Sequence, residues 1–252
     1  MRLDRYLSSV TDLSRSLARN AIRDGRVLVD GELRTQPAMN VAETAEVQLD
    51  AETVSHPGHC YFMMNKPQGY VCATEDRQHS TLLDLLNEPV TSGLHFVGRL
   101  DIDTTGLVLI TDDGAWSHRI TAPARTCPKD YLVELAEPLP EQAAERLRQG
   151  VLLRNEKKPT APAQLEYLTP RRVRLTLSEG RYHQVKRMIA AVGNRVIGLR
   201  RERIGGLELD RSLAPGEYRP LTQLERVAVF TDSGESRERE PRSVPLTSAN
   251  RV

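Results

Sequence analysis

The apolar positions of the chain change their period near residue 60. Before it, the segment Arg15 to Asp24 (RSLARNAIRD) has helical spacing. At about 100° per residue, Leu17, Ala18 and Ala21 take one side and Ile22 its border, while Arg15, Arg19 and Arg23 fall on a narrow opposite arc. Ser14 stands where an N-cap belongs and Gly25 where a helix ends, so a helix is predicted over Arg15 to Asp24. Arg26 extends the same row, and no acid interrupts it. RVLVDGELR then alternates around Asp30-Gly31, the pattern of a hairpin. Residues 1–50 therefore read as a small separate unit, and AETVSHPGH, residues 51–59, as a linker.

From Tyr61 onward the pattern is one of short apolar or alternating runs. YFMMN, YVCAT, LVLIT, YLVEL, VRLTL and RVIGL predict strands. Helical stretches come between them: TLLDLLN after Ser80, PEQAAERLRQG ending at Gly150, and a segment from His183 to Val192. In the last, Val185, Met188, Ile189 and Val192 recur at i, i+3, i+4 and i+7 and predict a core face. Without regular strand–helix alternation, residues 60–230 read as an α+β domain, with helices packed on a mixed, mainly antiparallel sheet. Residues 231–252 are polar, and a disordered tail is expected there.

Composition adds limits. At 252 residues, 39% hydrophobic and 27% charged, the chain suits an ordinary globular protein of one large domain or two smaller ones. No apolar run approaches the ~20 residues that span a membrane, and MRLDRYLSSV lacks a secretory core, so a cytoplasmic protein is expected. Cys60, Cys72 and Cys127 are scattered without a CxxC, which argues against a disulfide framework or a zinc site. The net charge of +1 hides an asymmetry: from Arg171 to Arg203, ten Lys or Arg face only Glu179 and Glu202, or +8 over 33 residues. Such a patch suits a polyanion, and the Arg15 row suits a phosphate backbone.

The chemistry turns on GRLDIDTTGLVLITDDG, residues 98–114. Asp101, Asp103, Thr105, Gly106 and Asp112 match part of a calcium loop, but the closing Glu is missing and LVLIT predicts a strand, not a helix. Asp101-Ile-Asp103-Thr-Thr105 also resembles the DxDxT motif of magnesium-dependent phosphatases, though no convincing later acidic pair follows. The third reading is attack on carbon by one carboxylate, kept ionised by a cation and set beside an aromatic platform. Tyr131 offers the ring. The segment SEGRYHQVKRMIAAVG offers the cations, with His183, Lys186 and Arg187 opposite the core face and Arg181 just before the helix.

GRLDIDTTGLVLITDDG, NKPQGYVCAT, KDYLVEL and EGRYHQVKRM, in one chain, together resemble the bacterial ribosomal pseudouridine synthases of the branch that modifies small-subunit (16S) rRNA. LDRYLS and SRSLARNAIRDGRVLVDGE resemble the S-four-type RNA-binding domain that precedes the catalytic domain in that branch. The likeness covers residues 2–50 and 60–230. It implies that Asp101 is the catalytic carboxylate, with Asp103 and the Thr pair supporting it. It implies that Tyr131 stacks on the target base and that Lys186 pairs with Asp101, with Arg187 as the alternative partner. The reaction it implies, uridine to pseudouridine in 16S rRNA, oxidises nothing and releases no group, so no cofactor and no metal are expected. Arg15, Arg19, Arg23, Arg26, Lys66, Arg99, Arg181, His183, Gln184 and Arg187 are the expected RNA contacts. The partner is 16S rRNA, free or in a small-subunit assembly intermediate, and the protein is expected to be a monomer. Two rivals remain: a non-catalytic rRNA-binding or ribosome-assembly factor, and the magnesium-dependent phosphatase.

Overall fold

The computed structural model describes residues 1–42, 45–54, 58–88, 93–122 and 127–231, so the expected tail lies, from residue 232, outside the described residues. The chain divides into two compact units, Met1–His59 and a second that begins at Cys60.

In the first unit, α1 (Leu3–Val10) and α2 (Arg15–Arg23) accompany the short strands β1 (Val27–Val29), β2 (Glu32–Leu33), β3 (Val47–Leu49) and β4 (Glu52–Thr53), arranged β2-β1-β3-β4. Ser14 caps α2 by accepting from Leu17 N at 3.3 Å. Asp30 and Gly31 both have positive φ, 52° and 77°, as a two-residue Asp-Gly hairpin turn requires. The core unites Leu3, Leu7, Ala18, Ile22, Val27 and Val47. α1, which the pattern above does not predict, supplies two of these.

The second unit contains β5 (Tyr61–Lys66), β6 (His95–Phe96), β7 (Thr105–Thr111), α3 (Gly114–Thr121), β8 (Lys129–Leu135), α4 (Glu141–Gln149), β9 (Gln164–Thr169), β10 (Arg172–Leu177), α5 (Gln184–Ala191), β11 (Val196–Ile204), β12 (Leu207–Glu208), β13 (Tyr218–Pro220) and α6 (Gln223–Ala228). Among the described residues nine strands form one sheet, ordered β13-β5-β7-β11-β8-β10-β9, with β12 beside β11 and β6 beside β7. The β7–β11 pairing is parallel and the other strand pairings are antiparallel, so the α+β architecture is the expected one. Val185, Met188 and Ile189 of α5 pack with Ala144 and Leu147 of α4 onto Val133 and Leu175, the core face that the periodicity predicts.

Two predicted elements do not form as expected. YVCAT is not a strand: Val71 makes one isolated bridge, to Thr81. The chain leaves β5 through Pro67 and Gly69 (φ 88°), and Val71 bonds to Ser80 and Leu82, closing a loop on itself. TLLDLLN forms only one 3₁₀ turn, Leu82–Leu85. Its Leu82 is buried and Leu83, Leu85 and Leu86 are half-buried, a pattern that sequence periodicity cannot distinguish from strand or helix.

The parallel pair matters most for position. The segment carrying Asp101 leads directly into β7, and α5 leads into β11. Parallel neighbours start at the same end of a sheet, so the segments preceding them meet there. Arg201 pairs with Gly106 on one side and with Tyr131 of β8 on the other, which sets Tyr131 level with the start of β7. Gly106 has φ 100°, and a Cβ there would lie 2.2 Å from Arg201 O and 2.9 Å from Arg201 N. Only a glycine lets the two backbones approach so closely. Gly106→Ala is therefore expected to destabilise the protein by about 2–4 kcal/mol, from backbone clash and left-handed strain together, as measured by urea unfolding.

Candidate active site

The segment Asp101 to Thr104 is a tight turn, closed by Thr104 N donating to Asp101 O at 3.1 Å. Its other carbonyls are held from one neighbouring stretch, NKPQG. Ile102 O accepts from Gly69 N at 2.9 Å and from Lys66 Nζ at 3.2 Å. Asp103 O accepts from Gln68 Nε2 at 3.3 Å, and Thr104 O from Lys66 Nζ at 2.9 Å. Lys66 Nζ also donates to Pro67 O at 2.9 Å. An ammonium has three protons, and Lys66 places one on each of three carbonyls. The side chain is 0% exposed, and burial pushes its pKa down. Lys66 thus does not fit the expected role of RNA contact: it is an internal clamp on the turn.

The clamp leaves the Asp101 side chain 25% exposed. Lys186 Nζ lies 3.0 Å from Asp101 Oδ2 and donates to Asp103 Oδ1 at 2.6 Å. His183 Nε2 lies 3.3 Å from Asp101 Oδ1. Burial opposes the charge on Lys186, but its hydrogen bonds to Asp103 and Asp101 outweigh this and raise its pKa. The hydrogen bond from Lys186 in turn holds Asp103 below the usual carboxylate range. His183 is the N-cap of α5 and Lys186 its third residue, so Asp101 sits beside the positive end of that helix. Arg187, one position on, points elsewhere. It donates to Glu156 at 3.1 Å, Arg154 O at 2.8 Å and Tyr182 O at 3.1 Å. Tyr131 is partly buried and packs against the cluster that contains Leu100, the residue before Asp101. The preceding Asp130 is fixed by Arg203 at 2.8 and 2.5 Å and by Thr176 at 2.7 Å.

Residues 60–191 match the family described as RNA pseudouridylate synthase, and residues 1–47 match the S4 domain. The chain belongs to the RNA pseudouridylate synthases. The ribosomal small subunit pseudouridine synthase A of Escherichia coli (strain K12) is 56% identical over 230 residues, covering 91% of this chain and 100% of that protein. The protein of that name from Haemophilus influenzae is 50% identical over 227 residues, covering 89% and 97%. A crystal structure of a pseudouridylate synthase matches with a TM-score of 0.67 at 48% identity, over 91% of this chain and 99% of that one.

In this pseudouridine synthase the other acids of residues 98–114 serve the fold. Asp112 accepts from Cys60 N at 2.8 Å. Asp113 caps α3 through Trp116 N at 2.9 Å and accepts from the Tyr61 hydroxyl at 2.7 Å. Both acids of the Asp101-Ile-Asp103 triplet bind one ammonium, where the phosphatase reading needs magnesium. Among the described residues no three His, Cys, Asp or Glu side chains stand close enough to share a metal ion, and no helix is long and apolar enough to cross a membrane.

The charge patch is weaker in the fold than in the sequence. Of its ten basic residues, seven lie within 4.0 Å of a carboxylate: Arg171, Arg172, Arg174, Arg181, Lys186, Arg187 and Arg203. Most partners come from residues 130–166, outside the window in which the charge was counted. Arg181 also donates to Lys158 O at 3.0 Å and Pro159 O at 2.7 Å. Gln184 is buried, accepting from Arg181 N at 2.7 Å and donating to Glu179 at 2.7 Å. Arg181, Gln184 and Arg187, expected as RNA contacts, are engaged in holding one turn, with Gln184 buried. Arg99 is exposed and has no ion pair among the described residues. Pairs open to water contribute only about 0–1 kcal/mol, so a phosphate can compete for Arg171 and Arg172.

The arginine row of the first unit does contain an acid. Asp4 of α1 is 0% exposed and accepts from Arg19 at 2.9 Å and Arg2 at 3.0 and 3.1 Å, with Arg15 at 3.5 Å. Burial would raise its pKa, but the bonds from Arg19 and Arg2 hold it down to about 2. Three guanidiniums around one carboxylate leave the cluster net positive. Arg26 pairs with Asp50, whereas Arg23 is exposed with no ion pair among the described residues.

The geometry separates Lys186 from Arg187. Lys186→Ala is expected to lower turnover by about 100-fold or more with little change in stability, because it removes a preorganised charge at Asp101. Arg187→Ala is expected to lower stability by about 1–3 kcal/mol and keep most of the turnover. Urea titration and a pseudouridine-formation assay on each variant check both.

Proposed function

We propose that this protein isomerises a specific uridine of small-subunit (16S) rRNA to pseudouridine, with Asp101 as the catalytic carboxylate. The observation that carries this reading is the Asp101–Lys186 ion pair at 3.0 Å, on a turn whose carbonyls are clamped. A protein that only binds RNA gains nothing from a carboxylate at the centre of its binding surface, where it repels phosphate. A catalyst does gain. Lys186 holds the carboxylate in place before the reaction begins, so no reorganisation is needed during it. The glycosidic bond from the ribose to the ring nitrogen breaks, and the base turns in the site. Its carbon 5 then bonds to the same ribose carbon, while the proton displaced there leaves and the nitrogen gains one.

The target uridine must leave its stack, which costs a few kcal/mol. Stacking on Tyr131 returns roughly 1–3 kcal/mol. Phosphate contacts from Arg15, Arg19 and Arg23 of the first unit, and from Arg99 and the water-exposed arginines of the second, supply the rest. Substrate is 16S rRNA, free or in an assembly intermediate, met by a monomer in the cytoplasm.

Asp101→Asn is expected to abolish pseudouridine formation while rRNA affinity stays within about twofold, because the replacement keeps shape and removes the charge. Tritium release from labelled rRNA and a filter-binding titration read the two effects, and substantial residual activity would refute the role of Asp101. Mapping small-subunit pseudouridines in cells with and without the protein identifies the target. Replacing Arg15 and Arg19 together by Ala is expected to weaken binding and reduce the slope of log affinity against log salt by up to about 2. An unchanged slope would remove the first unit from the phosphate contacts.

A further inference from the structure

Tyr182 has no evident task in the fold. It is 76% exposed, and among the described residues no other Phe, Tyr or Trp is exposed. An aromatic ring left in water contributes no burial to stability. The turn that carries it is nevertheless held firmly. Arg187 Nη1 donates to Tyr182 O at 3.1 Å, and the Gln184 side chain bridges Arg181 N and Glu179 at 2.7 Å each. His183 takes the left-handed conformation, φ 48° and ψ 37°, which is uncommon for residues other than glycine. That bend stacks two consecutive rings, with centroids 3.8 Å apart and planes at 21°. The inner ring, His183, lies 3.3 Å from Asp101. A two-ring column thus begins at the candidate catalytic carboxylate and ends on the phenol of Tyr182.

We propose that the outer face of Tyr182 is the stacking site for the nucleobase adjacent to the target uridine in the RNA chain, with His183 the inner plate that sets this site against Asp101. The proposal rests on the reading that a uridine reacts at Asp101. When that uridine swings out of its stack, a neighbouring base loses the partner on one face. A rigid aromatic one residue away from the Asp101 contact replaces that partner. Stacking is tolerant of base identity because every base has a π-face, so the site ranks occupants by stacking strength, purine above pyrimidine. It therefore adds a preference for sequence context that the reacting base does not provide. The target itself is not the occupant, because the proposed function gives it to Tyr131, which packs against the cluster containing Leu100.

The test is steady-state kinetics of the full-length protein on small-subunit rRNA, naked or in whichever assembly intermediate serves as substrate. Tyr182→Ala is expected to raise KM by about tenfold or more, change kcat less, and leave the unfolding midpoint unchanged. Tyr182→Phe, which keeps the ring, should recover most of the lost KM. An abasic nucleotide on one side of the target uridine should raise the wild-type KM by a similar factor and have no further effect on Tyr182→Ala. An unchanged KM in Tyr182→Ala, or lesion effects that add fully to it on both sides of the target, overturns the proposal. If the wild-type protein forms no pseudouridine on any of these substrates, the reading beneath the proposal fails instead.

Discussion

The site depends on one close backbone contact. β7 and β11 run parallel, and at Gly106 a single added carbon would meet Arg201 O at 2.2 Å. That pairing determines which segments meet at the end of the sheet. The residues before β7 carry Asp101, and those before β11 form α5 with Lys186. They lie 85 positions apart in sequence, yet the ion pair between them closes to 3.0 Å. Tyr131 joins from β8 because β8 pairs with β11 through Arg201. The glycine after the Thr pair therefore determines the site as much as the two residues of the ion pair do.

A second constraint is the buried ammonium of Lys66. A turn that bares a carboxylate leaves its own carbonyls short of donors, and buried carbonyls without donors are costly. Lys66, Gln68 and Gly69 supply them. The NKPQG and GRLDIDTTG motifs are thus two halves of one object. A turn held at four carbonyls keeps the Asp101 side chain in one place beside Lys186.

Electrostatics shows the same logic at longer range. The basic stretch from Arg171 to Arg203 folds against Glu134, Glu137, Glu156 and Glu166, so its bare charge is an overestimate. In the first unit a buried Asp4 gathers Arg2, Arg15 and Arg19 and leaves them net positive. In both places a carboxylate from another element decides whether an arginine is available to RNA or occupied. Charge counted along a window misses such partners because ion pairs form in space.

Local physics made much of this legible in the sequence. Helices with a cap and a stop, α2 and α4, follow from Ser14, Gly25, Pro140 and Gly150. The Asp30-Gly31 hairpin and strands β5, β7, β8, β10 and β11 follow from turn chemistry and alternation, and the core face of α5 from its period. Each is determined by residues within a few positions of one another. The motif set also singled out Asp101, Tyr131 and Lys186. Beyond local range the sequence is silent: it left Lys186 and Arg187 both open, placed Lys66 on the surface, made YVCAT a strand and TLLDLLN a helix, and passed over α1, α3, α6 and Tyr182. Those were decided by tertiary structure alone, because the partner of a charge, the donor for a carbonyl and the exposure of a ring depend on which distant segments the sheet brings together.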